Sequence, residues 1–164
     1  MPGMPMPSLD RTDLRILELL QQEGRLTNQD LAERVSLSPS PCLRRLKRLE
    51  ETGVIRGYVA LLDPDRIGLG LLAYVSVKLE KRDKMPMDDF RARVQGWPEV
   101  LACYAMTGEM DYLLRVHVED LQHFSRFVMD QLLRQPGVVD VRSSFALERI
   151  KETTALPLTR VHAA

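Results

Sequence analysis

The sequence predicts an α+β chain: an N-terminal helix-turn-helix unit of three helices, then a C-terminal ferredoxin-like βαββαβ unit. Three observations predict it. Up to Gly53 the apolar residues recur at helical spacing, in short blocks set off by capping residues. From Ala73 they alternate with polar residues at the two-residue period of a strand. Beyond that point helical and strand blocks follow one another as strand, helix, strand, strand, helix, strand, which is the split βαβ order.

Each element has its own signals. Asp10 is placed to cap a helix whose stripe is Leu14, Ile16, Leu17 and Leu20, with Gly24 suited to its end. Thr27, with Asp30 three residues on, caps a second helix lined by Leu31, Ala32 and Val35. Ser36-Leu37-Ser38 is a tight polar break with one apolar residue to bury. Ser38 then caps a third helix with Pro39 at its first position and Pro41 still within the first turn, where a missing N–H costs little. Leu43, Leu46 and Leu49 are its expected seam, and Gly53 its stop. Ile55 to Leu62 reads as an extended segment, a candidate hairpin arm around Gly57.

In the second unit, Ala73, Val75, Val77 and Leu79 alternate with Tyr74, Ser76 and Lys78. Met87, Phe90 and Val94 are spaced for a helix closed by Gly96-Trp97-Pro98. Val100 to Thr107 and Tyr112 to Val118 are two strands joined by the turn Gly108-Glu109-Met110-Asp111. Leu121, Phe124, Val128 and Leu132 mark a second helix, ended by Pro136-Gly137, and Val138 to Leu147 is the last strand. The organisation expected is a flexible start at 1–8, the helical unit at 9–62, a linker at 63–70, the ferredoxin-like unit at 71–150 and a tail at 151–164. Each unit is small for a lone core, and a sheet covered on one face leaves the other seeking cover, so self-association is expected.

With 164 residues, 45% apolar and 28% charged, the chain has the profile of a globular protein and not of a disordered one. Its longest uncharged apolar run, Ile67 to Val77, is too short and too glycine-rich to span a bilayer, so no membrane partner is expected. Met1 to Ser8 has neither a basic start nor an apolar stretch, so a cytoplasmic protein is expected. Cys42 and Cys103 are too few for a disulfide framework or a four-ligand zinc site. Net charge is zero, with ten basic and ten acidic residues in 1–70 and thirteen of each after it. Yet Arg44, Arg45, Lys47 and Arg48 fall within five residues, with no acidic neighbour before Glu50. On a helix, Arg44, Lys47 and Arg48 gather opposite the leucine seam, with Ser40 one turn earlier. That arrangement suits base edges and phosphates; a solvated basic face is the plain alternative. The capped two-helix lead-in, the Ser-Pro-Ser-Pro start and the missing i,i+4 acidic partners favour DNA.

Leu9-Asp10-Arg11-Thr12-Asp13-Leu14-Arg15-Ile16-Leu17, Leu31-Ala32, Ser38-Pro39-Ser40-Pro41-Cys42-Leu43-Arg44-Arg45-Leu46 and Leu49-Glu50-Glu51-Thr52-Gly53-Val54-Ile55 resemble the Lrp/AsnC (leucine-responsive, feast/famine) transcriptional regulators. Thr107-Gly108-Glu109-Met110-Asp111-Tyr112 and Pro136-Gly137-Val138 extend the resemblance, which covers roughly residues 8 to 156. It implies a winged helix-turn-helix DNA-binding domain and a ferredoxin-like regulation-of-amino-acid-metabolism (RAM) domain. It also implies homodimers that pair their sheets and build tetramers or octamers on double-stranded DNA. Ser38, Ser40, Pro41, Arg44, Arg45 and Arg48 would then face the operator beside Lys47. Cys42 reads as packing at the helix base and not as a redox switch.

Gly108 and Asp111 are ordinary turn residues on their own chemistry. The resemblance makes their loop the site of a free amino-acid effector between dimers, with Asp111 offering a carboxylate to its amino group. Tyr104, Met106, Ser143 and Phe145 are the candidate walls. Enzyme readings find no footing. His117, His123 and His162 are scattered and expected at surface or rim positions, and Gly68-Leu69-Gly70-Leu71-Leu72-Ala73 precedes a strand instead of leading from a strand into a helix. Trp97 and Phe90 read as packing, and no nucleophile motif, metal set or cofactor loop is present in the sequence. The expected function is an amino-acid-responsive, sequence-specific transcriptional regulator with no catalytic, metal or cofactor residues. The alternative is an amino-acid-sensing module that acts through protein contacts.

Overall fold

A computed structural model of the chain describes residues 8–80 and 85–158, with residues 85–87 described as backbone alone. Met87, expected on a helix face, therefore lies outside the described side chains, as does His162. The chain divides into two compact units. One gathers the described residues up to Leu61 together with those from Lys151 onward, and the other is Leu62–Ile150.

The first unit holds α1 (Arg11–Gln22), α2 (Asn28–Arg34) and α3 (Pro39–Glu51). Asp10 and Asp13 form a reciprocal capping box at the start of α1, each carboxylate accepting the other's backbone N–H, at 2.8 and 3.0 Å. Thr27 Oγ1 accepts from Asp30 N–H to start α2. Ser38 starts α3 without a side-chain hydrogen bond; Asn28 Nδ2 instead donates to the Pro39 carbonyl, tying α2 to the first turn of α3. Between these helices Ser36 takes a positive φ of 55°, and Leu37 N–H donates back to Ala32 O, which closes the turn within four residues. The core is Ile16, Leu17, Leu19, Leu31, Ala32, Cys42 and Leu49, with Leu20, Val35, Leu37 and Leu46 partly buried around it.

Two expectations here need correction. The inward seam of α3 is Cys42, Leu46 and Leu49, which share a face at i, i+4 and i+7, whereas Leu43 is 39% exposed. Of the expected extended arm only Ile55, next to Val54, packs on the core; Val59, Leu61 and Leu62 are exposed, and the strands described in the chain all lie between Leu71 and Phe145.

The second unit runs β1 (Leu71–Leu79), α4 (Met85–Val94), β2 (Val100–Ala105), β3 (Tyr112–Val118), α5 (Leu121–Arg126) and β4 (Val138–Phe145). The sheet order is β2-β3-β1-β4, with each neighbouring pair antiparallel, as the βαββαβ reading requires. One face carries the core: Ala73, Val75, Val77 and Leu79 of β1 and Tyr112, Leu114, Val116 and Val118 of β3, against Phe90 and Val94 of α4 and Phe124 of α5. Trp97 sits edge-on between Phe90 and Phe127, with ring centroids at 5.8 and 5.7 Å. Such geometry adds about 0.5–1.5 kcal/mol per pair to the area the rings bury. The packing role expected of Phe90 and Trp97 is what the molecule shows.

The last helix departs from its expected stripe. After α5 the backbone widens into a π-helical turn, Phe127–Leu132. Phe124, Phe127 and Leu132 are the buried residues, while Leu121 is exposed and Val128 only partly buried. The wider turn carries Phe127 and Leu132, five residues apart, to the same side. His117 also differs from a rim position: it is 9% exposed, covered by the segment before β1, with Nδ1 3.4 Å from the Leu69 carbonyl oxygen. His123 lies on a different element, 3.5 Å from a Glu99 oxygen. Among the described residues no group of His, Cys, Asp and Glu could hold a metal ion, and no helix is long and apolar enough to cross a membrane.

Candidate DNA-binding face and ligand loop

The basic run on α3 is split between two faces. Ser40, Leu43, Arg44 and Lys47 are exposed and stand at i, i+3, i+4 and i+7, one continuous face of the helix. Ser38 is exposed just ahead of them, and Pro41 is half-buried. Arg45, half-buried, and Arg48, which stays exposed one turn after Arg44, both reach back to α1. Arg45 Nη1 donates to Asp10 at 2.6 Å and to Asp13 at 2.9 Å, and Arg48 Nη2 donates to the second oxygen of Asp13. The Asp13 side chain is 1% exposed, so its carboxylate is compensated from within the unit by these two guanidinium groups and the capping N–H.

Burying a charge demands partners, and among the described residues the cations that pair with Asp13 come from the adjacent α3. Asp10 is held below its usual carboxylate range by the Asp13 backbone N–H and then by Arg45. Arg45 is held above its usual range by Asp10 and Asp13. Of the four expected cations, Arg44, Lys47 and Arg48 are exposed and Arg45 is half-buried, and Arg45 and Arg48 also join α3 to α1. Leu43 is the outward residue that sequence reasoning missed. The i, i+3 and i+4 spacing to Ser40 and Lys47 was the signal that could have found it. Burial pushes the Cys42 thiol up, outweighing the nearby Arg45. A buried thiol with a raised pKa packs; it does not react readily.

The loop between β2 and β3 is fixed at its Asp111 end. Met106 N–H donates to Asp111 O, Asp111 N–H to Val77 O, and Leu79 N–H to Asp111 Oδ2 at 2.8 Å. The Asp111 carboxylate thus pins the loop to the end of β1, and one of its oxygens is already used. Gly108 has φ 109°, with nothing within 4 Å of the place a Cβ would take. Its glycine serves the backbone conformation and leaves open space above the loop. Glu109, expected only as a turn residue, pairs with Arg142 of β4 through both oxygens, at 2.7 and 3.3 Å. Arg142 holds the Glu109 carboxyl below its usual range. Their separation of 33 residues gave no local signal.

The six expected effector residues do not form one cluster within the chain. Met106, Gly108 and Asp111 share the loop. Tyr104 pairs with Leu113, which pairs with Ser76, and so lies on the sheet face away from the helices. Ser143 pairs with Val75 and Phe145 with Ala73, on the helix-covered face, and the Phe145 ring packs edge-on against Phe124 at 4.9 Å. β2 and β4 are opposite edges of the sheet, so Tyr104 and the pair Ser143 and Phe145 differ in both edge and face.

Comparison with known proteins accords with this division. Residues 9–56 match the model of winged helix-turn-helix DNA-binding domains, and residues 72–156 match that of the Lrp/AsnC ligand-binding domain. A DNA-binding unit followed by a ligand-binding unit defines the class, a two-domain transcriptional regulator. The chain belongs to the Lrp/AsnC family. It is similar to the DNA-binding transcriptional activator DecR of Escherichia coli K12, 47% identical over 92% of this chain and 99% of the relative. The leucine-responsive regulatory protein of Salmonella typhimurium is 40% identical over 93% of each chain. Among solved structures, a Neisseria meningitidis transcriptional regulator in complex with L-methionine superposes with a TM-score of 0.90, at 55% identity, over 93% of this chain and 98% of that one.

Proposed function

We propose that this chain reads a specific DNA duplex with Ser40, Leu43, Arg44 and Lys47 of α3, and that a free amino acid bound at the 106–111 loop changes its assembly and DNA affinity. The observation that carries the reading is the split of the basic run. Arg45 and Arg48 are held by the buried Asp13, Arg48 while still exposed, whereas Arg44 and Lys47 stand exposed beside a serine and a leucine with no such tie to α1 among the described contacts. Arg and Ser recognise base edges and phosphates, Lys favours phosphate, and an apolar side chain suits a thymine methyl. Arg45 and Arg48 act as positioning residues that hold the angle of α3 against α1. Ser38 and Pro41 flank the contact.

The effector class follows from the family's ligand-binding domain and from the L-methionine complex of the Neisseria regulator. The opposite placement of Tyr104 and of Ser143 with Phe145 supports a site completed by a second copy, because one chain brings only Met106, Gly108 and Asp111 to the loop. Exposed Tyr74 and Tyr104 on the open sheet face support a homodimer, assembling further to a tetramer or octamer. Such a protein works on chromosomal DNA in the cytoplasm and needs no catalytic residue, metal or cofactor. Sensing through protein contacts alone is the competing reading.

The test is operator binding by fluorescence anisotropy as salt is varied. Arg44→Ala and Lys47→Ala should each weaken binding and lower the salt slope by about one. Unchanged affinity and slope in both variants would remove DNA reading from this face and favour the protein-contact alternative.

A further inference from the structure

Lys151 to Leu158 follow the ligand-binding unit in sequence but pack with the DNA-binding unit. Gln21, in the last turn of α1, makes the contact with its side-chain amide. Leu156 N–H donates to Gln21 Oε1 at 2.6 Å, and Gln21 Nε2 donates to Leu156 O at 3.1 Å. An extended residue points its N–H and C=O to the same side, and a primary amide offers both an acceptor and a donor. The two therefore close like one rung of an antiparallel ladder. Pro157 favours this conformation, since a residue before proline is pushed toward extended backbone. The Leu156 side chain is 70% exposed, so Gln21 engages main chain. Leu158 supplies the apolar part by packing against the Ile16, Leu31 and Leu49 core. Residues 153–158 carry no charge, so docking desolvates no ion.

We propose that the Gln21 end of α1 is a docking surface for the chain's own C-terminal segment, and that this contact transmits ligand state to the DNA-reading helix. The DNA-binding unit is attached to the rest of the chain at two points, after Leu61 and before Lys151, instead of at one linker. The match to the ligand-binding domain ends at residue 156, the residue Gln21 grips. From Gln21 the path is short: α1 also carries Asp13, which holds Arg45 and Arg48 of α3. A single tether lets a unit swivel freely, whereas a second restrains its pose, and a ligand that shifts the restraint shifts DNA affinity. The inference rests on the amino-acid response proposed above.

The test compares the full-length parent with Gln21→Met, which keeps side-chain length but not the amide, and with a chain ending at Glu152. Each is titrated against operator DNA with and without L-methionine, and with and without a pool of all amino acids. The parent Kd should move by about fivefold or more on adding ligand, the lower range for coupled sites. In both variants that ratio should fall to near one, while ligand-free Kd and salt slope stay close to the parent's. Variants that keep the parent's ratio would show the tail to be packing only and overturn the inference. Variants that lose ligand-free DNA binding would make the tail part of the reader's fold, which also overturns it. A parent that responds neither to L-methionine nor to the pool would sink the amino-acid response itself, and this role with it.

Discussion

Asp13 decides what its neighbours can do. Because its carboxylate is buried in a capping box, it recruits Arg45 and the still-exposed Arg48, while Arg44 and Lys47 face solvent without that tie. Arg45→Ala should therefore cost about 1–3 kcal/mol in urea unfolding, the usual penalty for under-satisfying a buried polar group. Arg44→Ala should stay within about 0.5 kcal/mol, as an exposed substitution does. Acid sharpens the contrast. The folded pKa of Asp10 is depressed below its ordinary value of 3.8, so its contribution is complete above that value and is lost as pH falls through the lower folded one. Parent stability should be flat with respect to this group at neutral pH and fall below pH 3.8, with a shallower fall in Arg45→Ala. The cluster of cations was legible in the sequence. Its division was not, because the deciding carboxylate, Asp13, lies 32 residues from Arg45 and nothing local marks it for burial.

At the scale of the element, the bounds of α2, α3 and β1 followed their local signals, and the inward seam of α3 and the last helix strayed where tertiary packing outweighed spacing. Thr27, Ser38-Pro39 and the alternation of Ala73 to Leu79 marked elements that the fold contains. The stripe Leu121, Phe124, Val128 and Leu132 fits an α-helix equally well on paper. Burying Phe127 and Leu132, five residues apart, on the same side goes with the wider π turn, and no local residue announces it. The ligand loop is a similar case: Gly108 and Asp111 were visible as turn residues, whereas the use of the Asp111 carboxylate by Leu79 N–H depends on the register of β1 against β3. Asp111→Asn retains an acceptor oxygen and should keep amino-acid binding within about threefold, while Asp111→Ala releases the loop and should lose about tenfold or more, the worth of a charge-assisted hydrogen bond. Calorimetry on both variants checks this. Equal loss in both would make the negative charge itself the ligand contact, as the sequence reading held.

For the whole molecule, each unit is smaller than a typical domain, and each leaves something unfinished. The ligand-binding sheet covers one face with helices and shows Tyr74 and Tyr104 (54% exposed) on the other. Its candidate effector residues are distributed over opposite edges. Sequence reasoning foresaw association from the uncovered sheet, but not the separation of the effector residues, which only the strand order β2-β3-β1-β4 imposes. The tail at 151–164 was legible as a segment apart from the ferredoxin-like unit, and its attachment to Gln21 was not, since the partners are 135 residues apart. The most direct measurement is fluorescence anisotropy of the duplex upstream of this protein's own gene against a shuffled duplex, each with and without pooled amino acids. Preferential binding of the native duplex, with an affinity that moves when the pool is added, is the expected result. Equal, salt-fragile binding to both duplexes with no response to the pool would contradict it.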